Sequence, residues 1–177
     1  MPFHSLAVAN EFLDIAEKAG NPIGPMKLQK LVYFAHGWYL AFKDAPLIHE
    51  MVEAWEYGPV ISSIYHEFKE FGRGNITGRA TRFIKKESKN LSIPFLMEDS
   101  PNQDLDFAKS LISQVWKVYG KFSGIQLSNM THKSDTPWYK ICQQHNGKPP
   151  RGLDIPEELI KSHFKEKLNR SSSTKNV

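Results

Sequence analysis

Apolar residues recur at helical spacing between Met26 and Phe42, the stretch around which we expect the rest of the chain to be organised. One arc of this predicted helix carries Leu28, Leu31, Val32, Phe34, Ala35, Trp38, Tyr39 and Phe42. The opposite side is semi-polar, and only Lys27 and Lys30 are expected to need water there. A helix that is apolar around most of its circumference is covered by several neighbours, so the pattern predicts a central helix. Gly37 lowers helix stability relative to alanine and therefore indicates that another backbone passes close by.

The same periodicity predicts six further helices, several of which have recognisable ends. We expect them at 5–20, 59–72, 101–120, 123–132, from 136 onward and at 156–164. Ser5 is the expected first N-cap, and Gly58 with Pro59 is expected to start a helix, since proline is well tolerated at the first helical position. Serine followed three residues later by glutamine, at Ser100 and at Ser123, forms a capping box that predicts a helix start.

Two stretches between these helices favour extended structure. Residues 47–55 are short and partly β-branched, which predicts one arm of a small hairpin. The glycine-interrupted region 73–99 is expected to be irregular, with short strands at Phe83–Ile84 and Leu91–Ile93. The predicted fold is mainly α: a compact single-domain helical bundle around a central helix at about 26–42, with a small β element near 47–56 and a second candidate one at 76–93. That domain is expected to span residues 1–168, followed by a disordered tail at 169–177.

Composition and charge narrow the class of protein. A length of 177 residues suits one domain with a substantial core, and the longest apolar run is far too short to span a membrane. Because Cys142 is the single cysteine, no intrachain disulfide can form, which is typical of a cytoplasmic protein. The net charge is +4, and the part from Lys148 onward has seven basic and four acidic residues. This excess is too small to predict a nucleic-acid interface, so we interpret it as a solvated helix face and tail.

The titratable residues give no support for an enzyme. His36, His66 and His132 each lack the ligand four residues away that helical zinc sites use. Cys142 and His145 form a single local pair, and Cys142 lies on an apolar helix face, which predicts an inert buried thiol rather than a nucleophile. We therefore predict no catalytic residue, no metal site and no cofactor.

A polar stripe along the central helix, formed by Gln29, Tyr33 and His36, allows two interpretations. The first is a buried, hydrogen-bonded set that fixes helix packing, because buried polar groups are normally satisfied. The second is a groove or partner contact, which exposed aromatic side chains would mark. A deep pocket that encloses all three side chains would favour an enzyme acting on a small ligand.

Three segments together resemble one known family. They are Lys27–His36, Glu53–Val60, and Leu127–His132 followed by Thr136–Trp138. In this order and spacing they are similar to the Panacea-domain family, the phage-associated GepA-like and SocA-like proteins, and the resemblance covers roughly residues 5–165. Three ordered matches are far more specific than any single one.

The resemblance implies a mostly helical domain that works as an antitoxin. Panacea domains accompany varied small toxins in bacterial and prophage operons and neutralise the cognate protein toxin by direct contact, as a monomer or as a homodimer. At least one SocA-like member is an adaptor that hands its toxin to a cytosolic protease. Some relatives carry a DNA-binding extension, for which this chain has little room. The alternative is a DNA-associated regulator of its own operon that uses the basic C-terminal region.

The matched segments also suggest a partner-binding surface. The candidates are Lys27, Gln29, Lys30, Tyr33, His36, Trp55, Tyr57, His132 and Trp138. Four matched residues, Trp55, Gly58, Pro59 and Trp138, are of the types that set packing and helix starts, so the region 73–99 is an alternative location for the contact with a partner.

Overall fold

The computed structural model describes residues 1–86, 89–101 and 104–173. These residues form seven α-helices and five short strands, joined by turns and loops. The helices are α1 Ser5–Lys18, α2 Pro25–Lys43, α3 Ser62–Phe68, α4 Leu105–Tyr119, α5 Gly124–Thr131, α6 Pro137–Gln144 and α7 Glu157–Ser173. The strands are β1 Val52–Trp55, β2 Gly58–Val60, β3 Thr81–Lys86, β4 Lys89–Pro94 and β5 Asp154–Ile155, and 3-10 turns occupy Lys69–Phe71 and Met97–Asp99. The fold is mainly helical with small antiparallel sheets, as predicted. No helix in these described ranges is long and apolar enough to cross a membrane.

Helix α2 packs against α1, α3, α4, α5, α7 and strand β2. Pro25 occupies its first turn, and Asp44 ends it in the left-handed conformation. Thirteen of its nineteen residues are buried. Two predictions for α2 are wrong: Phe42, placed on the apolar arc, is 48% exposed, and Lys30, expected to need water, is only 2% exposed.

Gly37 marks the closest approach between α2 and α7. A Cβ atom placed on Gly37 would lie 2.2 Å from Cε2 of Phe164, so the ring fills the space that any side chain would need. The predicted close approach is confirmed, but the neighbour is an aromatic ring rather than a backbone. The same ring meets Trp38 edge-on at a centroid distance of 5.1 Å.

Strand β1 lies between β2 and β5 in a three-stranded antiparallel sheet. The hairpin predicted from residues 47–55 is confirmed, with Trp55 opposite Gly58 and Glu53 opposite Val60. The predicted helix start at Gly58 and Pro59 is wrong, because these residues belong to β2 and the helix begins at Ser62. Strand β2 is an edge strand, which tolerates a proline that cannot donate a backbone hydrogen bond.

The second hairpin, formed by β3 and β4, confirms the two short strands predicted in region 73–99. Its base is attached to α1 through the buried side chain of Asn10. Asn10 Nδ2 donates to the Ala80 carbonyl at 2.9 Å, and the Ala80 N–H donates to Asn10 Oδ1 at 2.9 Å. Asn10 Nδ2 also donates to the carbonyl of Phe95 at 3.0 Å, just after β4. One amide side chain therefore fixes both ends of the hairpin.

Helix ends follow the capping rules at some positions and not at others. Ser123 and Gln126 form the predicted capping box of α5, and Thr136 caps α6 with Pro137 in its first turn. His4 rather than Ser5 caps α1, and its ring nitrogen accepts from the N–H of Leu6.

Besides the start of α3, two further helix limits differ from those predicted from the sequence. Helix α4 begins at Leu105 rather than near Pro101, and Gln103 of the other predicted box lies outside the described residues. Helix α7 continues to Ser173, so its predicted end at Phe164 is wrong, and residues 174–177 lie outside the described part.

Substituting Gly37→Ala should destabilise the protein by roughly 1–3 kcal/mol, because a methyl group would collide with the Phe164 ring in a close-packed core. This holds even though alanine favours a helix over glycine by about 1 kcal/mol. Urea unfolding measures the change. The matched control is Gly78→Ala, whose added Cβ meets no atom within 4 Å and should leave stability nearly unchanged. In the double variant, Phe164→Leu should relieve the collision caused by Gly37→Ala. A loss of stability equal to the sum of the two single losses would contradict the contact.

Candidate functional site

The β1–β2 hairpin is attached to α2 through two buried polar side chains. Gln29 Nε2 donates to the carbonyl of Ile61 at 3.0 Å, and the Ile61 N–H donates back to Gln29 Oε1 at 3.0 Å. Lys30 Nζ donates to the carbonyl of Pro59 at 3.0 Å. Burial removes these backbone groups from water, and the side-chain bonds give them new hydrogen-bond partners.

Helices α5 and α6 hold the hairpin from the other side. Ser128 Oγ donates to the carbonyl of Tyr57 at 2.8 Å, and Trp138 Nε1 donates to the carbonyl of Trp55 at 2.7 Å. Consecutive parts of the turn are therefore bonded to side chains from different helices. The three segments that carry the family resemblance, far apart in sequence, meet at this hairpin.

His132 lies at the end of α5 and touches both the helix and the hairpin. Its Nδ1 is 2.6 Å from the carbonyl of Ser128, and its Nε2 is 3.3 Å from the carbonyl of Glu56. The ring also packs on Trp138 with centroids 3.9 Å apart. Both ring nitrogens therefore lie beside backbone carbonyl oxygens. His132 is half-buried, which leaves part of the ring available at the surface.

Gly58 lets the hairpin lie directly against the helices. Its φ of +104° is in the region that favours glycine. A Cβ atom at this position would lie 2.6 Å from Thr131 Oγ1 and 2.9 Å from Lys30 Nζ. The residue is required by both the backbone conformation and the space available, which accounts for the Gly-Pro pair in the second matched segment.

Burial shifts the ionisation of the polar groups on α2. Desolvation lowers the pKa of Lys30 to about 7 and that of His36 to about 4, and it raises the pKa of Tyr33. Within the described residues, neither ring nitrogen of His36 has a hydrogen-bond partner. The expected buried hydrogen-bonded set is therefore confirmed for Gln29 and wrong for His36.

The nine candidate partner-binding residues divide by exposure. Five are buried: Gln29, Lys30, Tyr33, His36 and Trp138. Lys27, Trp55 and His132 are half-buried, and Tyr57 is 64% exposed. The buried five have little or no exposed surface in the folded chain, whereas the other four lie at or near the surface.

Lys27, Tyr57 and His132 line one open groove of about 920 Å³. Its walls are the end of the α1–α2 connection with the first turn of α2 (22–27), the hairpin turn, the segment around Gly72–Asn75, and helix α5. Ile125, 68% exposed, is the most exposed apolar side chain of the lining. The charged side chains of the lining are Lys27 and Arg73, so the groove is cationic and partly apolar.

Sequence reasoning missed Arg73, Ile125 and Ser128 as individual residues of this region. Ser128 was within a matched segment, so its position there was the available signal. Ile125 was interpreted only as part of a helix, and no sequence pattern connected Arg73 with the hairpin. Their proximity depends on how the helices pack.

Cys142 is buried on α6, as predicted, and burial raises the pKa of its thiol. In the ranges that the structure describes, no group of three or more His, Cys, Asp or Glu side chains could hold a metal ion.

Comparison with known proteins gives two matches. The profile described as "Antitoxin SocA-like, Panacea domain" matches residues 28–139. The chain is 36% identical over 159 residues to Antitoxin SocA of Caulobacter vibrioides (strain NA1000 / CB15N), covering 90% of this chain and 81% of that protein. No solved structure matches.

Stability should rise with pH between about 7 and 10.5 through Lys30. Its pKa is lower in the folded than in the unfolded state, so folding releases a proton in that window, and higher pH favours folding by up to about 1.4 kcal/mol per pH unit. Urea unfolding from pH 7 to 9 should show a smaller rise for Lys30→Met than for the native protein. Equal slopes would mean that Lys30 titrates normally.

Substituting Gly58→Ala should destabilise the protein by roughly 2 kcal/mol or more. Alanine would be strained at this positive φ, and its Cβ would collide with Thr131 and Lys30. Gly20→Ala is the matched control, because Gly20 also has a positive φ but no atom within 4 Å of the added Cβ. Thermal or urea unfolding compares the two. Equal losses would show that backbone strain alone, rather than the packed hairpin, explains the glycine.

Proposed function

Because this chain belongs to the family of SocA-like antitoxins with a Panacea domain, we propose that it neutralises a cognate protein toxin by binding it directly. The observation that carries the proposal is the 36% identity to Antitoxin SocA over 90% of the chain. The matched segments converge on a hairpin that presents the exposed ring of Tyr57, which supports a binding role. The toxin would be encoded in the same bacterial or prophage operon.

We place the toxin contact at the groove beside the β1–β2 hairpin. Lys27, Tyr57 and His132 line it, and Trp55 lies in the adjoining strand. Exposed aromatic side chains on a rigid support are typical anchors of protein interfaces. In this proposal three of the five buried candidates, Gln29, Lys30 and Trp138, act indirectly, because they fix the hairpin that presents Tyr57. Helix α2 then serves as the central support of the binding surface.

Contacts of the basic C-terminal region favour a protein partner over DNA. Lys161 pairs with Glu158, Lys165 with Asp44, and Arg170 with Glu166. These ion pairs offset part of the positive charge of α7 and support its interpretation as a solvated face. Release of the bound toxin to a cytosolic protease, and assembly as a homodimer, are extensions of the same proposal.

The burial of Gln29, Tyr33 and His36 supports a binding role rather than an enzymatic one. These three side chains are buried in the interior and do not belong to the lining of the groove. Among the described residues, the groove lining offers the positive charges of Lys27 and Arg73 and no carboxylate, which suits recognition of an acidic partner surface.

Co-expression in bacteria tests the function. The product of the adjacent gene should stop growth when expressed alone, and this chain should restore it. Tyr57→Asp combined with Ile125→Asp should remove protection and weaken binding of the two purified proteins at least about tenfold. Val118→Asp on α4 is the control, since Val118 is also exposed, at 53%, but lies outside the groove lining.

A harmless neighbour, or one that stays toxic beside this chain, would contradict the antitoxin function. Full protection by the folded Tyr57 and Ile125 variant would contradict only the location of the contact. Circular dichroism of each variant establishes that it is folded.

A further inference from the structure

The β3–β4 hairpin exposes the most accessible aromatic side chain among the described residues. Phe83, in the middle of β3, is 82% exposed, whereas Tyr57 in the groove is 64% exposed. Leu91 of β4 is also exposed, at 40%. At this exposure the Phe83 ring adds little to the core, and it would lose contact with water only if another surface covered it.

Hydrogen bonds and an ion pair hold this hairpin at its base. Asn10 bonds to Ala80 and Phe95 there, and Arg82 forms an ion pair with Asp99 at 2.7 Å while its guanidinium lies over the Phe95 ring. These contacts fix the orientation of the hairpin relative to α1. Phe83 and the residues after it project beyond them.

Both strands of this hairpin have one unpaired edge in the described part of the chain, because their sheet contains only β3 and β4. A two-stranded hairpin alone is marginally stable in water and gains from a third strand or another covering surface. An unpaired edge offers a row of backbone donors and acceptors, which an extended segment of another protein can join.

The positive charge near the end of the hairpin indicates which kind of partner could pair with its edge. Lys85, Lys86 and Lys89 are all exposed, and Lys86 stands directly opposite Lys89 in the strand register. Pairing of two copies edge to edge would bring these like charges together, which is unfavourable. A segment with carboxylate side chains would be attracted instead.

We propose that the β3–β4 hairpin is a second docking element, which binds an extended acidic segment of the toxin as an added strand with Phe83 covered by its apolar side chains. This inference rests on the proposed antitoxin function but concerns a surface separate from the groove. Strand addition is favoured over nucleic acid, because binding of bases uses several stacked aromatic rings, and Phe83 is the single aromatic residue of β3 and β4.

Calorimetry with the purified product of the adjacent gene tests the docking element. Phe83→Ser should raise the Kd about tenfold or more, since an interface anchor would be removed. Reversing charge at Lys85, Lys86 and Lys89 to glutamate should also weaken binding, and the loss should shrink at high salt. The matched controls are Val118→Ser for apolar exposure, and glutamate at the exposed lysines Lys117, Lys140 and Lys148 for charge.

The outcomes separate this inference from the antitoxin function. No binding by the native chain would overturn both proposals. Native binding that survives both hairpin variants would overturn the docking element and leave the antitoxin function intact. A hairpin variant that loses dimerisation in sedimentation, or loses affinity for a single-stranded oligonucleotide, while keeping toxin affinity would assign the hairpin to another occupant and also overturn the inference.

Discussion

Hydrogen bonding to the carbonyl groups of the β1–β2 hairpin ties the distant parts of this chain together. The hairpin enters a space between α2, α5 and α6, where its backbone loses water and needs other partners. Helix α2 provides Gln29 and Lys30, α5 provides Ser128, and α6 provides Trp138. Each of these bonds spans at least 29 residues of sequence. The hairpin makes all of these bonds only with the three helices packed around it.

Lys30 shows how strongly this requirement constrains α2. Burying an ammonium group is unfavourable because the charge loses its hydration, and this desolvation lowers the pKa of Lys30. The side chain is retained where its ammonium can reach the carbonyl of Pro59, beside a glycine that leaves room for it. Gly37 applies the same principle on another side of α2, where the absence of a side chain admits the ring of Phe164. The buried lysine and the glycine of α2 therefore determine which elements pack against this helix, as its apolar residues also do.

Local chemistry made several elements predictable from the sequence. The capping box at Ser123, the Thr136 cap with Pro137 and the proline at the start of α2 depend on contacts within one turn, so a short window of sequence contains them. The Gly58–Pro59 pair misled the prediction because glycine followed by proline suits both a helix start and an edge strand. The deciding factor was pairing of this segment with β1, which a local pattern does not include.

The candidate surface was predictable in part for the same reason. The matched segments identified residues that do meet in space, yet the sequence could not separate the exposed Tyr57 from the buried Tyr33 and His36. All three lie in segments of similar mixed polarity, and exposure depends on which helices cover each one.

By itself the sequence determined the helical class, most helix starts and the membership of a family of antitoxins, since these follow from periodicity, capping chemistry and ordered motifs. Only the tertiary structure decided that Lys30 is buried, that the three motifs close around one hairpin, and that a cationic groove and an exposed Phe83 remain at the surface. The physical reason is that burial and hydrogen-bond partnership are relations between residues distant in the chain, and they become defined only when the helices pack.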